Sequence, residues 1–204
     1  MQRLRAIATV LGARLEMVVR WQAGDLGRLL NARHAAMHEA IARRFAPLTE
    51  WVFEPEVSFS VYGERGVIDG LACHAASESL LVIELKTEFV DINDLMAGVD
   101  RKRRLATGIA SERGWIATSV SCWVVVAESR TNRRAFARHR TALRAKFPED
   151  GRAVRAWLRA PRGKVNGLGF VTNEQEAHGG VAVAGARRVR PARARLPSSD
   201  LPAE

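Results

Sequence analysis

The chain has 204 residues, 47% of them hydrophobic, and carries a formal charge of +10 with a sequence pI of about 11.0. That length and apolar fraction suit one domain of ordinary size. No self-similar period marks a repeat array, no uninterrupted apolar run approaches the roughly 20 residues needed to span a bilayer, and Arg14 and Glu16 interrupt the basic start before a signal-peptide core can form. A cytoplasmic protein without a membrane partner is therefore expected.

The positive excess fits an anionic polymer such as nucleic acid; a generally arginine-rich composition yields the same figure. Residues 174–204 hold five arginines against four acids, so the excess belongs to the part expected to fold. Cys73 and Cys122 have no second cysteine or histidine at zinc spacing, and buried free thiols are the expectation.

In chain order, residues 2–11 read as a short helix and 14–21 as a strand. Asp25 is an N-cap for a helix whose stripe of Leu26, Leu29, Leu30, Met37, Ile41 and Phe45 runs up to Pro47. On it, His34 and His38 have the i, i+4 spacing that can set two imidazoles on one metal. No HExxH order follows, and surface or half-buried histidines are the plain expectation. The segments WVFEPEVSFSVY (51–62) and VIDGLACH (67–74), joined by GERG, predict a β-hairpin. After AASES comes LLVIELKTE (80–88), the third strand of a meander.

Asp91 and Asn93 are caps for a helix over about 94–112, with Leu95, Val99, Lys102, Leu105 and Ile109 near one side. Residues 115–127 then form a strand whose WVVVA run reads as buried on both faces. Strand, helix and strand in that order make a crossover unit. Residues 132–147 predict one strongly basic helix with Phe136, His139, Leu143 and Phe147 as its neutral positions. Residues 152–158 predict another helix and 167–171 a last short strand. Beyond about Asn173 the composition lacks an apolar period and reads as a disordered tail.

The chemistry gathers on LLVIELKTE. Alternation sets Val82, Glu84 and Lys86 on one face and Leu81, Ile83 and Leu85 on the other. A buried strand ending in a solvent-facing Glu84–Lys86 pair is one account. Asp69, however, sits in the middle of VIDGL, where a packed strand normally avoids a carboxylate. It precedes Glu84 by fifteen residues, enough for a turn to bring the two strands alongside. Two carboxylates suit Mg²⁺, which keeps several waters and takes phosphate as a further partner.

The pattern GVIDG, then LLVIELKTE, resembles the PD-(D/E)XK nuclease superfamily, and the order of elements over roughly Asp25 to Phe147 is similar to its restriction-endonuclease-like αβββαβ core. The resemblance implies an α/β fold with a central mixed sheet flanked by helices. It implies Mg²⁺ or Mn²⁺ held by Asp69, Glu84 and the Leu85 carbonyl, and Lys86 acting on the attacking water and the phosphate. It further implies an accessory acid, Glu39 ahead of its competitor Glu56. DNA would be the partner, with Arg101, Lys102 and Arg103 and the basic helix residues Arg133, Arg134 and Arg138 on backbone phosphates; the plain alternative for these residues is a solvated helix face. Ile68 stands where the family pattern has Pro.

YGERGVIDGLA, VIELKTEFVDINDLMAGVDRKRRLA and TNRRAFARHRTALRA also resemble bacterial helix-turn-helix transcriptional regulators, which carry a DNA-binding module before this domain. On that resemblance residues 1–24 are the possible remnant of such a module, 25–173 the nuclease-like domain and 174–204 the tail; a homodimer, an upstream DNA-binding partner and association with the nucleoid stay open. Three activities compete: DNA phosphodiester hydrolysis, DNA binding or transcriptional regulation without turnover, and a structural polar cluster in a protein of another kind.

Overall fold

The computed structural model describes residues 26–172, so the expected elements at 2–11 and 14–21, the Asp25 cap and the tail lie outside the described residues. Within them a five-stranded mixed sheet is flanked by helices on both faces. Helix α1 (Leu26–Phe45) leads into the antiparallel meander β1 (Trp51–Val61), β2 (Glu64–His74) and β3 (Ser79–Lys86). Helix α2 (Ile92–Ser111) then crosses to β4 (Ser119–Ala127), parallel to β3. Helices α3 (Arg130–Arg138), α4 (Arg140–Lys146) and α5 (Gly151–Arg159) precede β5 (Asn166–Val171), parallel to β4. Among the described residues no helix is long and apolar enough to cross a membrane.

The central strands read as near-continuous apolar runs because both their faces are covered. On one face Leu80, Val82, Cys122, Val124 and Val126 meet Leu95, Val99 and Ile109 of α2 and Leu143 and Phe147 of the α4 region. On the other, Leu81, Ile83, Leu85, Trp123 and Val125 meet Met37, Ile41 and Phe45 of α1 and Val154 and Leu158 of α5. Both cysteines are buried and free.

Several boundaries differ from the sequence expectation. The hairpin turn is Tyr62-Gly63, not GERG: Val61 pairs with Glu64, and both turn residues have positive φ, +48° and +82°, as a two-residue hairpin of matching twist requires. The fourth strand starts at Ser119, since the chain must first leave the end of α2 through Gly114 (φ +72°), and Ile116 is exposed. The basic helix is two helices, broken at His139, whose N–H is shared between the carbonyls of Ala135 and Phe136. That break leaves His139 exposed while Leu143 and Phe147 stay in the core.

The hairpin also changes face halfway. Trp51 and Phe53 pack beneath α1, but Val57 and Phe59 pack with the α2 side; across β2, Leu71 and Cys73 share the core of the α2 side with Ile68 despite the odd spacing. The switch occurs at Glu56 and Asp69. Pro55 pairs with Gly70 and Val57 with Ile68, while Glu56 and Asp69 between them do not pair, and Glu56 has φ +50°. Gly70 fits this crowded point because a Cβ there would come within 2.8 Å of the Phe53 ring.

Candidate active site

Asp69 stands where the β2–β3 ladder also ends. The last pair is Gly70 with Ile83, so the register sets Asp69 opposite Glu84, one step beyond the paired region. Instead of a backbone carbonyl, the Asp69 Oδ2 accepts the Leu85 N–H at 2.7 Å. In an extended strand a residue's N–H and C=O leave on the same edge, so the Leu85 carbonyl also faces this opening. At the change of face, Asp69 reaches both layers: His34 of α1 lies 4.0 Å from its Oδ1, and the charges of Glu84 and of Lys102 from α2 act on it from the other side.

Glu84 is buried and doubly paired. Lys86 Nζ lies 2.8 Å from its Oε1, and Lys102 Nζ donates to Oε2 at 2.5 Å. Lys86 is partly exposed, whereas Lys102 is sealed in. Burial alone would raise the Glu84 carboxyl; the two ammonium groups outweigh it and hold the group below the usual carboxylate range. Asp69 goes the other way. Burial, then the like charge of Glu84, pushes it up against the pull of Lys102, the Leu85 N–H and His34.

The α1 side contributes histidines. His34 and His38 share an Nε2–Nε2 hydrogen bond at 3.0 Å, and with Asp69 they form a group whose potential ligand atoms all lie within 4.8 Å of one another. Both rings are half-buried, as the sequence led one to expect, but the spacing alone did not reveal their convergence on a carboxylate from another strand. Burial and then His34 lower the His38 pKa, against the charges of Asp69 and Glu56.

The structure thus brings Asp69, Glu84, Lys86 and the Leu85 backbone together. Glu39 it does not: one residue past His38 and about 100° round the helix, its side chain is 71% exposed and its carboxylate lies 3.5 Å from Arg43. Glu56 is also exposed, yet its charge is felt at His38. Lys102 needs correction as a phosphate contact, because it is buried against Glu84. Arg103 is partly buried with Nη2 on the Val120 carbonyl at 3.4 Å. Arg133 grips Glu128 and lies 3.9 Å over the Phe170 ring. Arg101, Arg134 and Arg138 are exposed.

Asn132, which the sequence did not single out, ties down the segment that follows Lys86. Buried at the start of α3, it donates to the carbonyls of Thr87 and Ala127 and accepts the Phe89 N–H, tying the segment after β3 to the end of β4. Its only sequence signal is a place after Ser129, whose hydroxyl caps the helix.

Neither a family model, nor a curated protein, nor a solved structure matches this chain.

Proposed function

We propose that the chain is a metal-dependent nuclease of restriction-endonuclease-like topology that hydrolyses DNA phosphodiester bonds. The observation that carries this reading is the opening at the β2–β3 end, where Asp69 and Glu84 stand opposite each other and Lys86 projects beside Glu84. The sheet order, with an antiparallel meander followed by a parallel crossover, is compatible with an αβββαβ core.

The residues fit a divalent ion. Asp69 is held against the negative charge of Glu84, and a cation between the two carboxylates would relieve that repulsion. Asp69 and, by strand geometry, the Leu85 carbonyl are turned to the gap; both Glu84 oxygens are held by lysines, so Glu84 would join them by exchanging its contact with partly exposed Lys86 for the ion. Mg²⁺ or Mn²⁺ bound there would supply a Lewis acid for the scissile phosphate. Lys86 is partly exposed and pairs with Glu84; on giving up that contact it would orient the attacking water and neutralise charge developing on the phosphate oxygens. Exposed Arg101, Arg134 and Arg138 are the remaining candidates for backbone phosphates.

The test is cleavage of plasmid, single-stranded and branched DNA with Mg²⁺ or Mn²⁺. Lys86→Ala should lose about 10²-fold or more in rate, and Glu84→Ala likewise, with far-UV circular dichroism unchanged. Persistence of cleavage in Lys86→Ala sinks the reading.

A second reading has its own observation. Lys102 occupies one oxygen of Glu84 from within the core, so the carboxylate is already neutralised by protein groups. A nuclease fold kept for DNA binding or transcriptional regulation would tolerate this. It predicts a DNA mobility shift with steep salt dependence and no cutting under any metal.

A further inference from the structure

We propose that His34, His38 and Asp69 form a two-imidazole, one-carboxylate site for a divalent transition-metal ion of the Zn²⁺ or Co²⁺ kind. The inference goes beyond the nuclease reading: both set an ion on Asp69, but this one gives that ion nitrogen partners from α1 and does not require DNA cleavage.

Residues four apart on a helix present their side chains on one face, and here both rings turn Nε2 to the same point, 3.0 Å apart and edge to face at 80°. Two nitrogens bound cis to an ion at about 2.1 Å are about 3.0 Å apart at a right angle and about 3.4 Å apart in a tetrahedron. The observed 3.0 Å is the right-angle value, and a tetrahedral ion would need the rings to part by about 0.4 Å. Asp69 Oδ1 lies 4.0 Å from His34 Nε2, too far for a hydrogen bond, so a gap stands between the three ligand atoms. With the ligand atoms within 4.8 Å of one another, closing the group to ligand spacing takes side-chain movements of up to about 2 Å, within the reach of rotamer adjustment.

The other Asp69 oxygen is fixed by the Leu85 N–H, which orients the carboxylate and leaves Oδ1 for the ion. The far nitrogen of His38, Nδ1, is buried with no hydrogen-bond partner among the described residues, so the ring's polar contact is the Nε2 hydrogen bond to His34, which an ion between the two rings would replace. Asp69 and Glu56 supply negative charge around two imidazoles that bind metal in their neutral form. His34 is 38% exposed, which leaves a path for the ion and for water. Imidazole donors select Zn²⁺, Co²⁺ and their neighbours over Mg²⁺, which prefers oxygen.

The metal-stripped full chain is titrated with Co²⁺, read by its visible absorption, then with Zn²⁺ as competitor. One equivalent should bind, resist equimolar Mg²⁺, and weaken at least about tenfold in His34→Gln and in His38→Gln. In the unmutated chain, Zn²⁺ should shift the side-chain ¹⁵N resonances of two of the five histidines, a readout that does not depend on how the variants fold. Absence of Co²⁺ binding, unchanged binding in both variants, or shifts at histidines other than these two overturns the proposal. Mg²⁺-dependent DNA cleavage without Co²⁺ binding overturns this inference and leaves the nuclease reading standing. Histidine-dependent Co²⁺ binding in a protein that cuts no DNA under any metal does the reverse.

Discussion

Asp69 and Glu84 carry the same chemical group and stand opposite each other just past the end of the β2–β3 ladder, yet the protein treats them in opposite ways. Glu84 lies on the α2 side, sealed between two ammonium groups that hold it ionised. Asp69, at the change of face, has one backbone N–H and two imidazoles for company and is pushed toward its neutral form. One carboxylate is finished by the protein itself; the other is left with a charge deficit that an ion can fill. Which of the two governs stability and which governs binding is the question the following variants separate.

The largest effect should come from breaking the finished side. Lys102→Met leaves buried Glu84 with only the partly exposed Lys86 and should cost about 3–5 kcal/mol, the range for stripping one partner from a buried pair. Lys86→Met should cost less, because the Lys86 ammonium is partly exposed and Glu84 keeps Lys102. Urea denaturation compares them directly, and equal losses would mean that the two lysines are not distinguished by burial.

Next comes the clamp that both sides share. Asn132→Ala abandons three backbone groups, of which the Ala127 carbonyl is buried and the groups at Thr87 and Phe89 are near water. A loss of about 2–3 kcal/mol is expected. Amide exchange should quicken at Phe89 while the centre of β3 stays protected.

The pH response should then divide the two carboxylates, measured as thermal stability in chelator. For Glu84 the folded pKa is lowered, so the native state binds fewer protons between that value and the ordinary one. Its contribution is present above the ordinary value and is lost as pH falls through the folded one. For Asp69 the folded pKa is raised, so the native state binds more protons between the ordinary value and the raised one, and stability falls as pH rises through that window. Asp69→Asn, which keeps an acceptor for the Leu85 N–H, should remove this fall and stabilise the metal-free protein at neutral pH. A destabilised Asp69→Asn would reverse the assignment.

How much of this was legible in the sequence differs from residue to residue. The apolar run into Glu84 and Lys86 and the carboxylate at 69 announced the meander and its unusual end, because period and polarity are local properties. Lys102 stood in the stripe with Leu95, Val99 and Ile109, so its burial was readable; its partner was not, since Glu84 is eighteen residues away on another element. The i, i+4 histidines named two members of a cluster whose third, Asp69, is set by a ladder that stops early. That early stop, with Glu56 at positive φ, is a backbone event to which alternation is blind, as is the break at His139, which leaves the apolar stripe in phase.

The smallest effect separates two glutamates near the histidine side. Glu39 follows His38 in sequence, but the helix turns it into solvent beside Arg43, where an i, i+4 pair is worth about 0.3–0.5 kcal/mol. Glu39→Ala should therefore change stability by no more than that, and Co²⁺ affinity less than about twofold, since the group lies outside the cluster. Glu56 sits at the unpaired step opposite Asp69, and its charge is felt at His38. Its removal should weaken Co²⁺ binding at low salt more than removal of Glu39, with the difference shrinking as ionic strength screens an exposed charge. If Glu39→Ala has the greater effect, α1 turns a different face to the sheet from the one described, and the two-histidine site falls with it.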